Sequence, residues 1–494
     1  MSERSGDPVA FVGSGPSGSI AAAMVASHGL PTLLLEAGDN HRGAIVNVGG
    51  RVVARVDRSP QQQPSFDVGG DPSTTWFGHE ALGGLSNYWT CAVPRYSPGD
   101  FVDGLALGEK FAWPIGYDEI APYYAHVERL LSVWGTSTHF DSLPAGVRER
   151  HVPMPTKWRS LQRYFGTRPL TRIPLARGKH RLLQMQTTQF NSYHDLVRRD
   201  LHQMTTLVVR QNARVVRLEF DPTAGRVTSV CYVDTESGAM VETPVRAVIL
   251  AAGAIVTPTL LLNSTSGTFP DGLGNASGLV GCYLHDHTYD LFAVKIAKRL
   301  PRLGHPLILG RRAYDASRPL SGSQCTIGGR LTQLDRALAF LPGLGATRFG
   351  IVAFGTAIPR ASDHVAVVRC GPHAGRPLIS HAPVDDASRA VVAELESDVL
   401  HALEKAGLSP ELLWHSESYA PGTAIHYAGT VRMHTSPMLG PADSWSRLHD
   451  VPNVAVGDAS VFPYSSEKNP TLTAMALSAR AADRLAREVL DGRF

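Results

Sequence analysis

The chain has 494 residues, more than one core's worth of sequence at roughly 100 to 200 residues per domain, so two or three domains and a sizeable buried pocket are expected. Charged residues are 18% of the chain and the formal net charge is +3, which gives no basis for a nucleic-acid or other polyanionic partner. Five cysteines with no CxxC spacing and an odd total argue against a disulfide framework or a zinc site and for a reducing compartment. A polar start leaves no room for a signal peptide, and no window reaches the roughly 20 apolar residues of a membrane span, so a soluble cytoplasmic protein is expected.

The first apolar run, Val9-Ala-Phe-Val12, leads into Gly13-Ser-Gly15-Pro-Ser-Gly18 and a small-residue stretch to Gly29. A second apolar run begins at Thr32 and ends at Glu36 and Ala37. This reads as strand, tight turn, helix, strand. Gly13 permits the turn, Gly15 lets a pyrophosphate approach the backbone between Ser14 and Ser17, and Gly18 lets the helix pack closely on the sheet. Free amides at the helix N-terminus face the phosphates, and the Glu36 carboxylate accepts hydrogen bonds from a ribose. The pattern predicts a dinucleotide site without separating FAD from NAD.

Gly43 to Glu80 has little periodicity and is expected to be loop-rich surface near the cofactor. Gly83-Gly84 brings backbone close to a flat ligand, and Ser86, Asn87 and Thr90 in the run to Arg95 can hydrogen-bond its polar edge. Asp118 to Val133 is expected as a helix with Ile120, Tyr124, Val127 and Leu131 facing a core. The basic stretch Arg148 to Arg199 reads as a solvated face. Val208 to Leu218 reads as one strand of the nucleotide domain, and Val248 to Leu262 as a buried strand turning through Gly253 into a helix with Pro258 in its first turn.

His285-Asp-His287 places two histidines on one face of a strand, but without a third ligand it makes no metal site, and no metal is assigned. Leu291 to Lys298 and His364 to Arg369 alternate as antiparallel strands do, and Asp386 to Ala406 reads as an amphipathic helix with Val391, Leu395, Val399 and Leu403 on its core face. At the carboxyl end His426-Tyr-Ala-Gly-Thr-Val-Arg-Met433 precedes a strand over Pro452 to Phe462 and then Asn469-Pro-Thr471. A helix starting at Pro470 aims unpaired amides and a positive dipole end forward, where charge developing at the N1–C2=O locus of a reduced flavin is favoured.

These residues, in this order, resemble the glucose-methanol-choline family of FAD-dependent oxidoreductases over most of the chain. The runs Gly83 to Arg95 and Trp113 to Tyr124 look most like the pyranose oxidases and C-glycoside-oxidising branch. The resemblance implies pyrophosphate contacts at Gly13, Gly15 and Gly18, ribose binding by Glu36, and adenine contacts near Val215 and Ala252. It further implies flavin contacts at Asn87, Tyr88, Trp89, Thr90, Cys91, Ala92, Asp458, Ala459 and Thr471. Tyr88 stands where fungal pyranose oxidases carry a flavin-linked histidine, which implies non-covalent FAD, and His434 stands where the family usually has glycine. The chain is also shorter than those enzymes, so their tetramer is not carried over.

The fold expected is α/β, a Rossmann-like FAD-binding domain with an α+β substrate domain on a largely antiparallel sheet. The FAD domain is assembled from about 1–135, 205–290 and 424–494, and the substrate domain from 136–204 and 291–423. The family's base and its partner fall on His426 and Asn469. A neutral imidazole is suited to take a hydroxyl proton, and an amide can bond the same oxygen without competing for it. The expected reaction is oxidation of a secondary hydroxyl of a sugar or glycoside, with O2 or a quinone-type acceptor reoxidising the flavin. The alternatives are oxidation of a sterol or polyol, a nicotinamide-dependent dehydrogenase, or a flavoprotein fold used for lyase chemistry or binding.

Overall fold

In the computed structural model, Val9–Val12 pairs in parallel with Thr32–Leu35 on one side and Ala247–Leu250 on the other. The structure describes all residues other than 1–5, 40–44, 49–50, 55–60, 63–64, 71–72, 178–191, 198–203, 299, 302, 304, 313–321, 330–346 and 417–419. Leu207–Arg210 and Val454–Val456 complete a five-stranded parallel sheet. Short, fully buried apolar runs suit four of its strands because both faces are covered there, while the edge strand Leu207–Arg210 is partly exposed. Val9, Phe11, Leu34 and Ile249 pack on one side against Ala21, Ala22 and Val25 of the helix Pro16–Ser27 and Ala482 and Leu485 of the helix Thr471–Leu490. The intervening Ala10, Val12, Leu33 and Val248 face the opposite cluster, as a period of two requires.

The expected strand Val208 to Leu218 is in fact two. Leu207–Arg210 belongs to the parallel sheet, while Ala213–Asp221 pairs antiparallel with Arg226–Asp234 in a separate three-stranded sheet with Met240–Pro244. The break is Asn212, at φ 56°, a left-handed conformation that asparagine tolerates better than most residues.

The second large sheet has six strands in the order Leu170–Arg172, Leu307–Leu309, Ser323–Gly329, Thr347–Gly355, Thr288–Ile296 and Pro410–His415, all pairings antiparallel. The helix Asp386–Lys405, capped by Asp385 accepting from the Ser388 amide, covers it with Val392, Leu395, Val399, Ala402 and Leu403. Val391, expected on that face, is only partly buried and Val392 takes its place, a one-residue phase error in a helix whose apolar pair is adjacent. His364–Val367 is an antiparallel strand but belongs elsewhere: its partner Pro377–His381 pairs in parallel with Asp67–Gly70. The helix Tyr117–Leu130 buries Ile120, Tyr124 and Val127, with Leu131 buried at its C-cap.

Two loop readings change. Gly43 to Glu80 includes the hairpin Ile45–Val48 with Arg51–Ala54, although part of it lies outside the described residues. In the basic stretch, Arg148, Arg168 and Arg172 are not solvated. Arg148 Nη1 donates to Glu128 at 2.9 Å, Arg168 Nε to Asp398 at 2.9 Å, and Arg172 Nε to the Pro153 carbonyl at 3.2 Å. Buried guanidiniums persist because their forked donors are matched to carboxylates and carbonyls; residues 178–191 and 198–199 of that stretch are outside the described set. None of the five cysteines is in a disulfide, and among the described residues no helix is long and apolar enough to cross a membrane.

Candidate active site

The turn after the first strand is built on steric limits. A Cβ at Gly13, whose φ is 99°, would lie 2.6 Å from the Ala251 carbonyl oxygen, and one at Gly18 only 2.0 Å from that of Gly13. Gly15 differs: a Cβ there meets nothing within 4 Å, so open space lies beside the backbone where a pyrophosphate needs it. Gly15 is also the N-cap of the helix Pro16–Ser27, with no side chain capping it and no acid in the first turn, so the leading amides and the dipole are available to an anion.

Glu36 is buried at the end of the second strand. Ser14 donates to Glu36 Oε2 from its amide at 3.0 Å and its hydroxyl at 2.6 Å, and the Gly38 amide donates to Oε1 at 3.1 Å. Burial raises the carboxyl's pKa above its ordinary value, opposed by those donors. Ser14 Oγ also accepts from the Gly83 amide at 3.0 Å, tying the two glycine motifs together.

One cavity of about 600 Å³ is lined by Gly13, Ser14, Gly15, Ser17, Glu36, Ala37, Gly84, Val215, Ala252, Gly253, His426, Asp458, Ala459 and Thr471. The other named residues stand outside that lining. Gly18 packs under the turn, while Ser86 Oγ donates to the Gly83 carbonyl at 2.6 Å and Asn87 Nδ2 to the Gly84 carbonyl at 2.8 Å, so this run spends its polar groups on its own turn. Tyr88 meets His79 edge-on at 4.8 Å, Trp89 packs on the core, and Thr90 is exposed. Cys91 and Ala92 are buried, Cys91 at φ 63° with its carbonyl accepting from the Ala176 amide.

Asp458 spends its carboxylate on scaffolding. Oδ2 accepts from the Gly253 amide at 2.9 Å and Thr257 Oγ1 at 2.6 Å, and Oδ1 from the Ser460 amide at 2.8 Å. It thereby joins the ends of two parallel strands at the cavity wall. The helix Thr471–Leu490 has Pro470 as N-cap, no capping side chain and no acid in its first turn, and Pro470, Thr471 and Ala474 line the cavity. Two helix N-termini thus converge on one pocket.

Asn469 Nδ2 lies 3.2 Å from His426 Nε2, and His426 Nδ1 lies 2.8 Å from His287 Nδ1. His287 Nε2 is 2.6 Å from the Ser466 carbonyl oxygen, and Gln324 Nε2 donates to Asn469 Oδ1 at 3.2 Å. Burial, with His287 adding to it, holds His426 well below the ordinary histidine pKa of 6.5, and burial brings His287 to about 4, so both imidazoles are neutral at pH 7.

The remaining members of the His-Asp-His motif serve the same loop. Asp286 accepts from the amides of His287 at 2.9 Å, Ala424 at 3.1 Å and His426 at 2.8 Å, bracketing Ile425, which is held at φ 59°, a conformation β-branched residues avoid. Burial raises the Asp286 carboxyl to about 7 against those amides. His285 Nδ1 donates to the Tyr283 carbonyl at 2.9 Å and its Nε2 meets Ser465 Oγ at 2.8 Å.

The loop carrying Asn469 is pinned by buried ions: Lys468 Nζ donates to Asp100 at 2.6 Å and to Glu467 at 3.0 Å, and Arg311 pairs with Asp103 and lies 3.7 Å from Glu467. Charges so buried survive only in pairs, so the residues leading into Asn469 are held in place. At His434, the family's glycine position, the turn closes through the ring: Nδ1 accepts from the Ser436 amide at 2.9 Å and Nε2 donates to the Glu109 carbonyl at 3.2 Å.

His287, Asp286, Gln324, Ser466 and Lys468 were not in the sequence-derived site. The HxH spacing was the one available signal, and it pointed toward metal rather than toward a partner for His426.

The model described as GMC oxidoreductase matches in two parts, its N-terminal model over residues 111–289 and its C-terminal model over 379–478, together more than half of the chain. The paromamine 6′-oxidase of Streptomyces fradiae is 27% identical across 98% of this chain and 92% of its own. The C-glycoside 3-oxidase of Microbacterium trichothecenolyticum is 28% identical across 83% of this chain and 75% of its own. The crystal structure of pyridoxine 4-oxidase from Mesorbium loti has the same fold, with a TM-score of 0.67 at 18% identity over 98% of this chain and 99% of that one. A glycine turn open beside Gly15, a buried glutamate lining the cavity and two helix N-termini on the same cavity fit FAD, and with these matches the chain belongs to the GMC oxidoreductase family of FAD-dependent enzymes that oxidise CH–OH donors.

Proposed function

We propose that the protein oxidises a secondary hydroxyl of a sugar ring or glycoside to a ketone, with His426 as base and Asn469 as the substrate-orienting partner. The observation that carries this reading is the 3.2 Å approach of Asn469 Nδ2 to His426 Nε2 at the edge of the cavity. A hydroxyl placed between them donates its proton to the imidazole lone pair and accepts from the amide, so loss of the proton and alignment of the carbinol C–H come from one contact. Bound FAD supplies the acceptor for the carbinol hydride. His426 holds the proton on Nε2.

Gly13, Gly15 and the amides of Ser17 and Gly18 would hold the pyrophosphate, Glu36 the ribose, Val215 and Ala252 the adenine, and Ala459 and Thr471 the flavin edge. Tyr88 in place of a linking histidine supports FAD held without a covalent bond; acid precipitation then leaves the yellow colour in the supernatant rather than the pellet.

The choice of a sugar over another alcohol is supported by the relatives named paromamine 6′-oxidase and C-glycoside 3-oxidase. Those names give positions 6′ and 3, so the decisive test is product analysis: incubation with pyranoses and C- and O-glycosides, followed by trapping of new carbonyls. Ketone at a ring position supports the proposal. Turnover confined to aliphatic or sterol alcohols would replace it.

A further inference from the structure

We infer that His287 is a positioning residue that locks the tautomer of His426, leaving Nε2 as the ring nitrogen free to accept a proton. The inference rests on the reading of His426 as the base.

The direction of every bond in the chain follows from one group. The Ser466 carbonyl oxygen has no proton, so at 2.6 Å it accepts from His287 Nε2–H. A neutral His287 carrying its proton on Nε2 has a bare Nδ1, which at 2.8 Å must accept from His426 Nδ1–H. His426 then has a bare Nε2, which accepts from Asn469 Nδ2–H at 3.2 Å. That orientation of the amide turns Asn469 Oδ1 toward Gln324 Nε2, the donor found there at 3.2 Å. No link has two donors or two acceptors facing each other.

The lock works only while His287 is neutral, because a protonated His287 would present Nδ1–H and force His426 into the opposite tautomer. His287 is 4% exposed, seated between Ser466 and the Phe354 ring, which also lies 4.9 Å from His426. No proton need pass through His287 for this role. It fixes which nitrogen is free, and the wrong tautomer of a catalytic imidazole can slow chemistry by as much as about 10⁴-fold.

The test has two readouts on the FAD-loaded protein. Two-bond 1H–15N correlation on 15N-histidine-labelled protein at neutral pH, with His426 assigned by difference against His426→Ala, should show the proton on Nδ1. His287→Leu should mix or reverse that tautomer, and His287→Asn, whose Oδ1 can still accept, should keep it.

In anaerobic stopped-flow with a reducing sugar substrate, His287→Leu should lower the limiting flavin-reduction rate at least about tenfold while leaving substrate affinity within about twofold, and His287→Asn should recover most of the loss. A native His426 protonated on Nε2 would overturn the inference. So would a His426 tautomer unchanged in His287→Leu, or equal loss of rate in both variants. Should His287→Leu fail to fold, the native tautomer and the Asn variant decide. If no alcohol reduces the flavin at all, the proposed function fails while the tautomer result still stands.

Discussion

His426 and Asn469 sit 43 positions apart in sequence and 3.2 Å apart in space, one on a loop fastened by Asp286 and the other on a loop fastened by Lys468. Their separate anchoring predicts separable losses. His426→Ala should keep bound FAD and slow alcohol-dependent flavin reduction by about 10²- to 10⁴-fold, the usual worth of a general base. Asn469→Ala should slow it by about 10²- to 10³-fold, because one donor to the substrate oxygen is lost and the lone pair of His426 remains. Rapid-scan spectra under anaerobic conditions measure both, and near-normal rates in His426→Ala would sink the base assignment.

Acidity should switch the same step. With His426 held below 6.5 by burial and by His287, the unprotonated base dominates at neutral pH. The limiting reduction rate is therefore expected to be flat above pH 6.5 and to fall on acidification, through a midpoint below that value. A midpoint above 6.5 would mean that burial does not govern this histidine.

The cofactor cradle separates packing from binding. Gly15→Val places atoms where the structure has nothing within 4 Å, so the variant should fold and purify colourless. Gly18→Ala places a Cβ 2.0 Å from the Gly13 carbonyl and should instead lower stability, by about 1 to 3 kcal/mol or more. Thermal melts read beside the 450 nm region of the spectrum distinguish the two failures.

Stability itself should depend on acid. Burial depresses His285, His287 and His305 from 6.5 to about 4. Between those values the unfolded chain binds protons that the folded chain refuses, so stability is full above pH 6.5 and is lost as pH falls toward 4, by at most about 3 kcal/mol per histidine. Asp286, raised to about 7, works the other way with a single proton. The thermal midpoint should drop over this range, and His305→Gln, outside the cavity lining, should shallow the drop without changing flavin reduction.

The parallel sheet and its glycine turn were legible because they are local: short apolar runs, three glycines at fixed offsets and an acid at the next strand's end constrain one another within thirty residues. The break at Asn212 had a visible signal, the polar Arg210-Gln211-Asn212 between two apolar stretches, which the continuous-strand reading passed over. What surrounds the base had none. His287 reaches His426 across 139 positions, Gln324 reaches Asn469 across 145, and Lys468 reaches Asp100 across 368. Such contacts are set by how the two large sheets meet, which no periodicity in either segment encodes. The buried arginines at 148, 168 and 172 misled for the same reason, since their partners Glu128, Asp398 and the Pro153 carbonyl lie elsewhere in the chain.

The visible spectrum of the purified protein under anaerobic conditions, before and after addition of a panel of pyranoses and C- and O-glycosides, tests the central claim most directly. Flavin bands should bleach with at least one sugar or glycoside and return when an acceptor such as air is admitted. Flavin bands that no sugar or glycoside in the panel bleaches would contradict it.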